Sequence, residues 1–96
     1  MKYSESNPPI VCMQTNSKCY KNTGVMKPKG VLWHDTSANN TKVARYVQPM
    51  ESDPNYSEMI AIIGSNRYKN DWNHKQVQKG VNAFIGHIAD GSVAAV

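Results

Sequence analysis

Hydrophobic and polar positions along this chain follow two different periods. Between Asp53 and Gly64, the residues Tyr56, Met59, Ile60 and Ile63 recur at i, i+3, i+4 and i+7, the stripe of an amphipathic helix. Asp53 is placed to cap it, Pro54 takes the first helical position and Gly64 supplies the stop. A second helix is expected over 41–48, with Asn40 as its cap, Val43, Tyr46 and Val47 as its buried stripe and Pro49 as its end. Short apolar runs without that period read as strands. They fall at 10–14 after Pro8 and Pro9, at 31–34 after Lys29 and Gly30, at 81–88, and at 92–96.

Asp90-Gly91, between the last two strands, predicts a type I′ hairpin turn in which both central residues take positive φ. Residues 15–24 are rich in Asn, Ser, Lys and Thr and predict a surface loop or loose hairpin, and 65–70 a polar connector. From Asp71 a short, weakly patterned helix is expected to run to near Gly80. Trp72 at its start is either a core anchor or a platform for a sugar ring, and packing is the commoner use of tryptophan. The pattern predicts an α/β (α+β) domain, a mixed central β-sheet flanked by helices. After Ala94, Ala95 and Val96 no turn, cap or polar tail follows, so residues 1–96 are expected to be the front portion of one longer, truncated domain.

Composition narrows the class. Ninety-six residues allow one domain with a modest core, and 40% apolar residues with negative mean hydropathy describe a soluble globular chain. No apolar run exceeds five residues, which excludes a membrane-spanning helix. The N-terminus MKYSESNPPI lacks a hydrophobic stretch after its lysine, so no secretory signal is expected and the chain would be made in the cytoplasm. The first 33 residues carry five lysines against one glutamate, the whole of the formal +4 charge. That basic segment suits an anionic partner such as a teichoic-acid-bearing wall, or is a solvated face. Only two arginines are present and no basic run is interleaved with aromatics, which disfavours nucleic acid. Cys12 and Cys19 form neither a disulfide framework nor a zinc spacing and are expected to be free thiols. Oligomeric state is left open.

Candidate chemistry centres on 30–40, GVLWHDTSANN, where an apolar run delivers His34 to the start of a polar loop. A strand end can fix an imidazole with one nitrogen free, as a metal ligand needs, and a strand-edge histidine can equally bond a backbone carbonyl. Thr36, Asn39 and Asn40 are either contacts to substrate or to the groups around a metal, or plain capping residues. His74 and His87 could complete an all-histidine set with His34, but no pair shows a short ligand spacing such as H-E-x-x-H, and each reads more simply as structural.

The segments CMQTNSKCYKNTG, GVLWHDTSANN, ARYVQP, NDWNH and FIGHIADGSVAAV, spanning Ile10 to the end, resemble the zinc-dependent N-acetylmuramoyl-L-alanine amidases. These are the type 2 amidases of the peptidoglycan-recognition fold, and the resemblance is nearest to clostridial and phage endolysins. It implies that His34 coordinates Zn2+. It also implies that the domain hydrolyses the amide between N-acetylmuramic acid and L-alanine with zinc-activated water, acting on bacterial peptidoglycan in the cell wall. The other two metal ligands and the catalytic glutamate of that family are expected beyond Val96. Some relatives carry a catalytic tyrosine before the Asp-Gly turn; residues 81–86 here contain none, and Ser37 stands where a small residue often follows the threonine. The alternative is a non-catalytic peptidoglycan-binding module of the same fold, and a small basic nucleic-acid-binding domain is the weaker third reading.

Overall fold

A computed structural model describes residues 10–21, 27–37, 39–77 and 80–96. The expected helix break at Pro8 and Pro9, the end of the 15–24 loop and part of the run from Asp71 to Gly80 lie outside the described residues. In chain order the elements are α1 (Lys18–Lys21), a 3₁₀ turn (Val43–Arg45), α2 (Tyr56–Ile63), β1 (Ile85–His87) and β2 (Val93–Ala95). The class is mixed α and β.

β1 and β2 form an antiparallel pair with Ile85 opposite Ala95, Gly86 opposite Ala94 and His87 opposite Val93. Phe84 and Val96 exchange two backbone hydrogen bonds of 2.8 Å at the open end. Hydrogen-bonded and non-hydrogen-bonded pairs alternate in such a ladder, so Ala95 and His87 direct their backbone groups outward. Ile10 N–H donates to the Ala95 carbonyl at 3.0 Å, and His87 N–H donates to Thr41 O at 2.8 Å. Lys42 and His87 form an isolated parallel bridge. Ile10 and Thr41–Lys42 thus flank the hairpin, but neither grows into a strand.

The predicted turn between 88 and 92 is present with different geometry. Gly91 has φ of 86° and Asp90 is not in the positive-φ region, so the connection is not type I′. Gly91 N–H closes on Ile88 O, Ile88 N–H bonds Ser92 O, and the Asp90 carboxylate takes the Ser92 N–H at 2.8 Å. This is a three-residue loop whose last position needs glycine, and the Asp90 carboxylate ties it by accepting both the N–H and the hydroxyl of Ser92.

Two predicted strands do not form. Residues 31–34 have no partner strand among the described residues, and Val31, Leu32 and Trp33 are 81%, 89% and 76% exposed. β-propensity reflects packing on a pleated surface, so without a neighbour the apolar run has nothing to join. The 10–14 segment makes its single ladder contact at Ile10 before Gln14 turns its amide to Cys12 O and Gln48 O. The 41–48 helix is reduced to the 3₁₀ turn, yet its stripe is placed as the pattern requires. Val43, Tyr46 and Val47 are all buried and, with Ile63, make the apolar core. Tyr46 stacks on Phe84 at 5.1 Å, and Trp72 meets Phe84 edge-on at 5.0 Å, so Trp72 packs against the core.

α2 starts at Tyr56 rather than at Pro54, because Asp53 caps a preceding turn by accepting the Asn55 N–H at 2.8 Å. Ile63 is fully buried, Tyr56, Met59 and Ile60 are half-buried, and Ala89 N–H donates to Ile62 O, which docks the helix beside the hairpin turn. Gly64 ends it with φ of 94°. In the loop expected at 15–24, Ser17 instead nucleates α1, its hydroxyl accepting the Tyr20 N–H at 3.1 Å. No helix among the described residues is long and apolar enough to cross a membrane.

A polar cluster binds these pieces together. Asn73, fully buried, accepts the Asn16 N–H at its Oδ1 (2.9 Å) and donates from Nδ2 to Gln48 O (3.0 Å). Gln48 donates to Gly64 O at 2.8 Å and accepts the Asn66 N–H at 3.1 Å. Asp71, also fully buried, accepts the backbone N–H groups of Asn73 and His74. The weakly patterned run from Asp71 is therefore a turn held by Asx-type bonds, not a regular helix.

Two stability tests follow from this packing. A Cβ at Gly86 would lie 2.6 Å from Thr41 O and 3.1 Å from Val43 Cγ2, so Gly86→Ala is expected to cost roughly 1–3 kcal/mol in urea denaturation. Asn73→Ala strands the Asn16 N–H and removes one of the two amide donors on the Gln48 carbonyl, leaving Gln14 Nε2 at 3.2 Å, and is expected to cost roughly 1–3 kcal/mol by the same measurement.

Candidate functional site

His34 lies on an exposed segment at the end of the apolar run 31–33. Neither of its ring nitrogens has a hydrogen-bond partner among the described residues, so the strand-edge bond to a carbonyl is not made there. The following residue is occupied: the Asp35 carboxylate accepts the Ser37 N–H at 2.7 Å and its hydroxyl at 3.1 Å, with Ser37 at φ of 50°. Those two bonds, with a smaller contribution from nearby His34, hold the Asp35 carboxyl below its ordinary range. Asn39 is exposed, and Thr36 makes interactions of its own. Asn40 Oδ1 accepts the Lys42 N–H at 3.0 Å, a local bond just before the 3₁₀ turn, whose own cap position, Lys42, makes no side-chain cap bond. At Thr41 and Lys42 the segment is fixed to β1, whereas the Asp35–Ser37 stretch is held by its own local turn.

The other two histidines are placed differently. His87 is half-buried in β1. His74, 13% exposed at its side chain, has Nδ1 2.9 Å from both Asp71 carboxylate oxygens and Nε2 3.1 Å from Glu51 Oε2. Glu51 also meets Lys69 Nζ at 2.9 Å. Both ring nitrogens can donate at once only in the imidazolium form. Burial opposes that charge, but the hydrogen bonds and attraction of Asp71 and Glu51 outweigh it, and the His74 pKa lies above its ordinary value. Bonds from Lys69, from the Glu51 backbone and from His74 bring Glu51 down to about 2. The sequence reading left this clamp unseen. Its local signal is the spacing of Asp71 from Asn73 and His74, an acceptor followed at two and three residues by groups it can bond.

The cysteines are free and unpaired. Burial, then Asp53 and Asp71, push the Cys12 thiol up to about 11 against a bond from Gln14, so at neutral pH it is neither a thiolate nucleophile nor a ready metal ligand. Among the described residues no three His, Cys, Asp or Glu side chains gather where they could hold a metal ion. His34, His74 and His87 are therefore not brought together as one site. No protein-family model matches the chain, and no curated protein or solved structure matches it either.

The His74 clamp has a definite pH signature. The stability from Glu51 is whole above its ordinary 4.5 and fades as pH falls toward about 2. The stability from His74 is whole below its ordinary 6.5 and fades as pH rises through the raised value. Urea midpoints are therefore expected to peak near about pH 5–6 and to decline on the alkaline side, and His74→Gln is expected to flatten that alkaline decline.

Proposed function

We propose that this chain is part of a peptidoglycan amidase that acts on the bond between N-acetylmuramic acid and L-alanine, with His34 as one anchor for zinc. The observation that carries this reading is the ring of His34, presented to solvent without a hydrogen-bond partner among the described residues, within GVLWHDTSANN. An imidazole so placed is available as a metal donor. The formal charge of +4 suits an anionic bacterial wall. Zinc when bound supplies polarisation of the scissile carbonyl and a reactive water. The described residues contribute one donor to it, and Asp35, tied to Ser37, orders the loop around that donor.

A second reading has an observation of its own. With no group of three donors among the described residues, the same surface suits a peptidoglycan-binding module without hydrolysis. The two are separated by digesting purified bacterial sacculi with the protein expressed from its complete reading frame. Amidase action is expected to liberate L-alanine amino groups, one zinc is expected per chain, and His34→Ala is expected to lose more activity than the ~100-fold that changes to groups supporting a metal ligand cost. Binding to sacculi with no amine release would select the binding module. Zinc held equally by His34→Ala would remove His34 from the site under either reading.

A further inference from the structure

A groove of about 490 Å³ runs between the 3₁₀ turn and the 65–70 connector. Both arginines of the chain, Arg45 and Arg67, line it together with Lys42, Tyr68, Asn40 and Asn66, and no acidic residue does. The ion pairs among the described residues join Lys69, His74, Glu51 and Asp71, and they leave these three cations without a carboxylate partner. Part of the wall is fixed, while Lys42 is exposed and the exposed Arg67 bonds the Tyr68 hydroxyl at 3.1 Å. Arg45 Nη1 donates to Asn70 O at 2.7 Å, and Asn66 Nδ2 donates to Asn70 Oδ1 at 2.7 Å. Asn66 is itself tied to the buried Gln48, and Tyr68 N–H bonds Asn66 Oδ1 at 3.2 Å. At the rim Arg67 lies over the Tyr68 ring at 5.1 Å, while Tyr68 stays 72% exposed.

We propose that this groove binds one anionic sugar unit, its carboxylate or phosphate held among Lys42, Arg45 and Arg67 and its ring set against Tyr68. Arginine matches the planar acceptor pair of a carboxylate or phosphate, and three like charges on one concave wall stay unfavourable until an anion neutralises them. Asn40, whose Oδ1 takes the Lys42 N–H, keeps its Nδ2 for a ring hydroxyl. A single aromatic and no extended basic track argue against a strand of nucleic acid. Nothing here depends on His34 or on hydrolysis, so failure of the groove and failure of the amidase reading are separate results.

The test is calorimetric titration of the whole chain with glucuronate, glucose 6-phosphate and glucose. At least one of the two acids is expected to bind saturably and about tenfold or more tightly than glucose, and which of them does so identifies carboxylate or phosphate as the anion. Arg67→Ala is expected to weaken that binding by about tenfold, and Tyr68→Ala to weaken it while the circular dichroism and melting temperature stay those of the parent. Both side chains are exposed, so the fold should survive. Equal binding of glucose, no saturable binding of either acid, or binding unchanged in both variants would overturn the proposal. So would tighter, salt-steep binding of a single-stranded oligonucleotide.

Discussion

Asn73 contributes no apolar surface, yet the described fold turns on its amide. Its Oδ1 holds the backbone of Asn16 and its Nδ2 holds the carbonyl of Gln48, two groups separated from it by 57 and 25 residues. Gln48 passes the connection on to the end of α2 at Gly64 and to Asn66. Among the described residues the buried apolar cluster has four members, Val43, Tyr46, Val47 and Ile63, with half-buried side chains packed around it. A core of that size favours collapse but discriminates weakly among ways of collapsing. Directional bonds in a buried, low-dielectric setting discriminate strongly, because every mismatched arrangement leaves a desolvated amide without a partner. The short elements follow from the same cause: loops stitched by side-chain amides do not need long helices or strands.

The clamp around His74 extends this network to the surface. Asp71, fully buried, uses one carboxylate to hold the backbone of Asn73 and the ring of His74. Through His74 and Glu51 the chain reaches Lys69 on the polar connector. That connector is also one wall of the arginine-lined groove, so the groove stands on the same bonds that orient the interior. A binding surface built on such a frame loses little freedom when it takes a ligand.

The sequence predicted burial better than it predicted backbone shape. The i, i+3, i+4 stripe of Val43, Tyr46 and Val47 is buried because apolar side chains must leave water, whether the turn beneath them is α or 3₁₀. The stripe on α2 and the hairpin at its Asp-Gly turn were legible for the same reason, one from its period and the other from its glycine. The strands at 10–14 and 31–34 were not, since a strand exists only through its partner and a local pattern does not name one. Buried polar residues were the least legible. Nothing local marks Gln48, Asp71 and Asn73 as interior; Gln48 and Asn73 become so through partners 16 to 57 positions away, at Gly64, Gln48 and Asn16.

The two proposed surfaces differ in what holds them. His34 sits on a segment whose apolar neighbours Val31, Leu32 and Trp33 bury almost none of their surface, and whose own bonds are turns two residues long. Its availability as a donor is a matter of chemistry, not of preorganisation, and a zinc site of high affinity needs both. The groove is the reverse case at Arg45 and Asn66, which are anchored by bonds to Asn70, and its cations have no carboxylate partner among the described residues. Exposed β-favouring surface beside a solvent-facing histidine is what remains when a strand lacks the sheet it would join. A partner for residues 31–33 would be the element that turns His34 from an available imidazole into an aimed one.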